Sequence, residues 1–240
     1  MIVRTGIITA PRPRPTLYES VRSFRAAGFD GPVLVFSDGN GDVVADRVNV
    51  LRNEVRLGNK LNWIRALSVL STSADMGDWL MVCEDDITWC VGAARELDEA
   101  VAELRSREGA MDRAGALSLY APRRVTNVLH QGIRARLAPG WYSTGVQMGK
   151  KTWGAQCYLF TWDMAQTLLN DVQFRRFAAD TSKNKQIDAI VGQSLNDRGL
   201  DIIYRIPCLV NHDLGRGNSS LGYADDRPTL ETDYFRGPRA

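Results

Sequence analysis

The sequence predicts an α/β fold, a single domain with a mostly parallel central sheet flanked by helices. Three observations lead there. In the first half of the chain, short apolar runs of strand length alternate with segments whose apolar residues keep helical spacing, the pattern of βαβ units. One of those runs, Trp79-Leu80-Met81-Val82-Cys83, ends in Glu84-Asp85-Asp86. Finally, 240 residues with 44% apolar and 24% charged content suffice for one generous core, without the bias of a disordered chain. In the second half the pattern becomes mixed, which still favours α/β over a bundle or a sandwich.

Ile2 to Thr9 reads as the first strand, stopped by Ala10-Pro11-Arg12-Pro13-Arg14-Pro15, where three prolines forbid a helix or a ladder. Thr16-Leu17-Tyr18-Glu19 has the form of a capping box opening a helix with Leu17, Val21 and Phe24 on one face and Gly28 as its C′ residue. Val33 to Phe36 is a second buried strand, ending at Ser37-Asp38-Gly39. After a loop-rich passage, a helix beginning near Asn59 carries Trp63, Ile64, Leu67 and Leu70 at helical spacing. The acidic strand follows, then an amphipathic helix from about Gly92 to Arg107 and a strand from Ala116 to Tyr120. Residues 121–152 show little periodicity and read as one long irregular passage. Gly154 to Phe160 returns to strand, and Thr161 can cap a helix carrying Met164 and Leu168. A polar link, Asp180 to Lys185, precedes a helix that buries Ile187, Ile190, Val191 and Leu195 and stops at Gly199. Ile202 to Ile206 is the last strand, closed by Pro207. The remainder, from His212, is polar and Gly-rich.

Several kinds of chemistry are disfavoured. A net charge of +2 gives no general nucleic-acid field. Cys83, Cys90, Cys157 and Cys208 are widely spaced with no CxxC pair, so buried free thiols are expected rather than disulfides or zinc ligands. There are two histidines, His130 and His212, and no GxSxG elbow for a nucleophilic serine. Gly145-Val146-Gln147-Met148-Gly149-Lys150-Lys151-Thr152 lacks phosphate-loop spacing, and Gly215-Arg216-Gly217 is a lone GxG. No window approaches the length of a membrane span, and no basic leader with an apolar core opens the sequence, so a cytoplasmic protein is expected.

What remains is a carboxylate-centred site. By itself the acidic triplet reads equally as a solvated turn or as a site for a divalent cation, the natural neutraliser of adjacent carboxylates. Its place at a strand end favours the second reading, because ligands of open α/β sheets bind outside the carboxyl ends of the strands. Asp38 and Arg12 follow two other strand ends and converge on the same edge, although Asp38 before Gly39 also suits an ordinary Asx turn.

In this order the residues resemble the GT-A fold of nucleotide-sugar-dependent glycosyltransferases. Glu84-Asp85-Asp86 looks like that fold's acidic DxD motif in its EDD form. Ile7-Ile8-Thr9-Ala10 with Arg12 resembles the segment lining the nucleoside, and Phe36-Ser37-Asp38 the strand-end acid that reads the base. Trp153-Gly154-Ala155-Gln156-Cys157-Tyr158 is similar to the glycine-containing loop and strand beside the donor sugar. Gln186-Ile187-Asp188 resembles the helix-borne segment supplying the catalytic acid residue of inverting members, without the acidic neighbour many of them have. Leu209-Val210-Asn211-His212 is similar to the late segment whose histidine joins the metal.

The resemblance implies a metal-dependent, inverting glycosyltransferase with a nucleotide-diphosphate sugar as donor and Mn2+ or Mg2+ as cofactor. It implies Asp188 as general base and Asp86, Asp85 and His212 as metal ligands. The donor-binding set comprises Thr9, Ala10, Arg12, Asp38, Lys60, Glu84, Asp85 and Gly154, with Glu84 orienting its neighbours. Residues 1–120 would form the nucleotide-sugar half and 121–240 the acceptor and catalytic half, transferring a hexosyl or N-acetylhexosaminyl group. The basic 121–152 passage, with Arg123, Arg124, Arg134, Arg136, Lys150 and Lys151 beside Trp141 and Tyr142, suits acceptor phosphates and stacked bases, or a lid over the diphosphate. Compact size and the proline-rich opening resemble small phage-encoded enzymes that glycosylate hydroxymethylated pyrimidines in DNA. Bacterial glycan synthesis is the competing acceptor class. A nucleotidyltransferase would share the sheet and metal, but it needs a Gly-rich basic loop where this chain has prolines.

Overall fold

The computed structural model describes residues 1–39, 47–129, 137–143, 154–180, 186–212 and 235. Its strands are β1 (Val3–Thr9), β2 (Val33–Ser37), β3 (Val48–Arg52), β4 (Trp79–Glu84), β5 (Thr88–Trp89), β6 (Ala114–Ser118), β7 (Gly140–Ser143), β8 (Cys157–Thr161), β9 (Asp201–Ile206) and β10 (Val210–Asn211). The helices are α1 (Leu17–Ala26), α2 (Asn59–Ser73), α3 (Ala93–Ser106), α4 (Arg123–Leu129), α5 (Trp162–Asn170), α6 (Val172–Ala179) and α7 (Ile187–Asn196).

One sheet runs β3-β2-β1-β4-β8-β6-β9-β7 through both halves of the chain. All of its strands except β7 and β8 point the same way, so the expected mostly parallel α/β architecture is what forms. Side chains of successive strand residues leave opposite faces, and both faces are buried. Trp79, Met81 and Cys83 pack with Leu17, Val21 and Phe24 of α1 and Leu97 and Val101 of α3. Leu80 and Val82 pack with Trp63 and Leu67 of α2, Leu168 of α5, Phe174 of α6 and Ile190 of α7.

Local chemistry explains the helix ends. Gly28, at φ 95°, takes the left-handed position after α1, and Phe29 N–H then reaches Phe24 C=O at 3.5 Å while the two rings stack at 4.5 Å. Thr161 caps α5, its hydroxyl accepting from Met164 N–H at 3.2 Å. Thr16 makes no such cap, so the capping box at α1 is a correction to the sequence reading. Its buried hydroxyl instead helps to hold the charge of Asp85.

Other differences are matters of packing. β3 is edge-paired to β2 and half-exposed, and lies in the passage read from the sequence as loop-rich. Asp171 accepts from Phe174 N–H and starts α6 where a single helix was expected. The 121–152 passage is not wholly irregular, since it contains α4 and β7. β5 and β10 form a separate antiparallel ribbon, too short for any periodic signal.

Candidate active site and metal centre

The site lies at the carboxyl ends of β1, β2 and β4, where the backbone sets each side chain. In register, Ile8 of β1 stands beside Glu84, and Glu84 N–H donates to Gln156 C=O at 2.9 Å. Two residues past Asp86 the chain enters β5, and β10 pairs with it, Asn211 opposite Thr88 and Val210 opposite Trp89. That ribbon delivers His212 to the acidic strand end. One carboxylate oxygen each of Glu84 and Asp86 and one imidazole nitrogen of His212 lie within 4.8 Å of one another.

The three acids have divided their work. Arg12, from the proline-rich loop after β1, spans Asp85 and Asp86: its Nη2 lies 2.5 Å from Asp85 Oδ1, and its Nη1 lies 2.8 Å from Asp86 Oδ2. The other oxygen of Asp85 accepts from Thr9 Oγ1. With both oxygens so engaged, Asp85 is not among the three grouped residues, which are Glu84, Asp86 and His212. Glu84 accepts from Asn59 Nδ2 at 3.0 Å. His212 Nε2 approaches Asp86 Oδ2 at 3.0 Å without the alignment of a hydrogen bond.

Burial and charge tune the group. Burial, reinforced by Asp86, pushes the Glu84 carboxyl up to about 7. Burial likewise lifts Asp85 to about 6 against the pull of Arg12. For Asp86 burial acts in the same sense, but His212 and Arg12 outweigh it and hold the carboxyl well below the usual range. Burial would lower His212, yet Asp86 raises it to about 9.

The donor set fits a divalent cation. Asp86 Oδ1 and His212 Nδ1 are buried without hydrogen-bond partners, and such atoms are costly unless something meets them. Hard carboxylate oxygens with one imidazole suit Mn2+ or Mg2+, with Glu84, Asp86 and His212 as the residues to hold it.

Asp188 sits in the first turn of α7, where Ala189 N–H reaches its Oδ1 at 2.8 Å and Gly154 N–H also faces the carboxylate. Burial nonetheless raises the carboxyl to about 6, suitable for a base near neutrality. Gly154, at φ 100°, needs its glycine, because a Cβ there would stand 3.0 Å from Pro122 Cδ. Tyr158 is fully buried on β8, the strand paired with β4.

Asp38 is buried, with both oxygens on protein donors: Leu57 N–H at 2.6 Å, Asn53 Nδ2 at 2.9 Å and Gly58 N–H at 2.7 Å. Lys60 donates to the carbonyls of Phe177 and Asp180 at the end of α6, a favourable place for a cation at a helix C-terminus. Ala10 directly follows β1. Trp141 is buried and donates from Nε1 to Ala100 C=O at 2.8 Å, so it is not a free stacking platform, which corrects that part of the reading of 121–152. Trp153, His130, Arg134, Arg136, Lys150, Lys151 and the side chains of Arg123 and Arg124 lie outside the described residues. Sequence reasoning missed Asn59, whose carboxamide carries no signal in a helix-start pattern, and the hydroxyl of Thr16.

The architecture is similar to that of GT-A glycosyltransferases. Over 95% of this chain it matches the crystal structure of GalNAc-T7 with UDP, GalNAc and Mn2+, with a TM-score of 0.53 and 15% identity, covering 47% of that chain. Over 85% it matches the crystal structure of S. aureus TarS, with a TM-score of 0.51 and 11% identity, covering 36% of that chain. The chain thus spans less than half the length of either structure, and at these identities the likeness is one of fold. No protein-family profile and no curated protein sequence matches it. None of the described helices is long and apolar enough to cross a membrane.

Proposed function

We propose that the protein is a metal-dependent glycosyltransferase, moving a sugar from a nucleotide-diphosphate donor to an acceptor hydroxyl with inversion. One observation carries this reading. On a sheet of GT-A type, Glu84, Asp86 and His212 converge at the strand ends with a buried, unpartnered Asp86 oxygen among them. When bound there, Mn2+ or Mg2+ supplies positive charge to the donor diphosphate and the leaving nucleotide.

The chain's own residues do the rest. Arg12, fixed by Asp85 and Asp86, presents a second positive charge at the same edge. Thr9, Ala10 and Asp38 line the nucleoside side, and Gly154 and Asp85 complete the donor pocket. Asp188 takes the proton of the acceptor hydroxyl as that oxygen attacks the anomeric carbon from the face opposite the departing diphosphate. Residues 1–120 then carry mainly the donor and 121–240 the acceptor and the base. The transferred group is a hexosyl or N-acetylhexosaminyl unit. The acceptor assigned on the basic character of 121–152 is a hydroxymethylated pyrimidine in DNA, and a bacterial glycan is the rival that the same assay separates.

The test is incubation with a panel of nucleotide sugars and Mn2+, with and without hydroxymethylated DNA or glycan acceptors, reading released nucleoside diphosphate and labelled acceptor. Release that needs both metal and acceptor, with labelled DNA, is the expected result. Labelled glycan alone would overturn the DNA assignment. Absence of release under every condition would overturn the transferase reading.

A further inference from the structure

We infer that Asn59 is a positioning residue for the metal cluster, and that Asp38 acts through it by fixing the turn from which α2 departs. The inference rests on the reading of Glu84, Asp86 and His212 as the cation site.

Glu84 ends β4 and its side chain must be aimed to reach the cluster. The described hydrogen bond that aims it comes from Asn59 Nδ2 to Glu84 Oε1 at 3.0 Å. Asn59 is the first residue of α2, and the residue before it, Gly58, has no side chain with which to cap the helix and stands at φ 81°. A turn so placed depends on outside support, and Asp38 provides it. Its two carboxylate oxygens accept from Leu57 N–H and Gly58 N–H, the two backbone donors immediately before Asn59. The same carboxylate holds Asn53 Nδ2, which also donates to Asn62 Oδ1 at 3.0 Å, and Asn62 Nδ2 in turn donates to Phe36 C=O at 2.8 Å. Arg65 closes the network on Asn53 Oδ1. The start of α2 is therefore tied to the end of β2 by buried bonds, and its Asn59 reaches the end of β4.

This arrangement gives Asp38 a task other than touching a ligand. It converts the position of one strand end into the orientation of a carboxylate at another. Groups that orient metal ligands in this way commonly matter by 10- to 100-fold in metal affinity.

The experiment is a Mn2+ titration of the metal-free protein followed by electron paramagnetic resonance of the free ion, for wild type, Asn59→Ala and Asp38→Asn, with thermal melts in EDTA alongside. Asn59→Ala, a change to a good helix former at the partly buried first residue of α2, is expected to keep its EDTA melting temperature and bind Mn2+ about 10-fold more weakly. Once donor turnover is established, the Mn2+ concentration for half-maximal rate should rise while the rate at saturating Mn2+ stays near that of wild type. Asp38→Asn is expected to weaken Mn2+ binding in the same direction. Wild-type affinity in Asn59→Ala would overturn the positioning role while leaving the cation site intact. Failure of the wild type itself to bind Mn2+ would instead overturn the reading on which it rests.

Discussion

Asp188, the base proposed above, is held at a cost in stability. Its carboxyl is raised to about 6 by burial, above the value it has in the unfolded chain. The folded state therefore holds the proton more tightly, so the stabilising contribution is present below the unfolded pKa and is lost as pH rises through about 6. Near neutrality the ionised, buried carboxylate costs on the order of 3 kcal/mol. Asp188→Asn is expected to melt higher than wild type at pH 7.5 but not at pH 4, and to lose 100- to 10,000-fold in turnover with donor binding unchanged. Wild-type turnover should fall as pH drops below about 6, and this limb should vanish from the residual activity of the variant. Melting curves at the two pH values and a pH–rate profile check both halves. Glu84, Asp85 and Asp86 were legible in the sequence because they end an apolar run. Their division of labour was not, since which oxygen meets Arg12 and which faces His212 depends on a loop and a ribbon far apart in the chain.

At the scale of elements, the sequence pattern was most informative where a segment buries one clear face. α1, α2, α3 and α7, and the strands β1, β2 and β4, fall close to where periodicity puts them. It failed where pairing partners decide: β3 is a half-exposed edge, and β5 and β10 exist through each other. The elements bearing the site are sensitive to packing. A Cβ on Gly115 of β6 would come within 2.5 Å of Leu195 Cδ2 on α7, the helix that carries Asp188. Gly115→Ala is expected to cost about 1–3 kcal/mol in denaturant unfolding and to impair turnover more than donor binding. Thr161→Ala removes the cap of α5, remote from the acids, and should cost about 1 kcal/mol, lowering the melting temperature by roughly 2–4 °C with kinetics unchanged. A thermal melt paired with the donor assay distinguishes the two.

For the whole molecule, the parallel run β3-β2-β1-β4 brings three strand ends to one edge, and the ribbon of β5 and β10 returns a late histidine to it. This geometry favours a site over a solvated turn at the acidic strand end: His212 reaches Glu84 and Asp86 from a distant part of the chain. The measurement that tests it most directly is Mn2+ binding to the metal-free wild type beside Asp86→Ala and Asp85→Asn. The account predicts one bound ion in the wild type, none in Asp86→Ala, and a retained ion in Asp85→Asn, whose position faces Arg12 and Thr9. Equal binding by wild type and Asp86→Ala would contradict it.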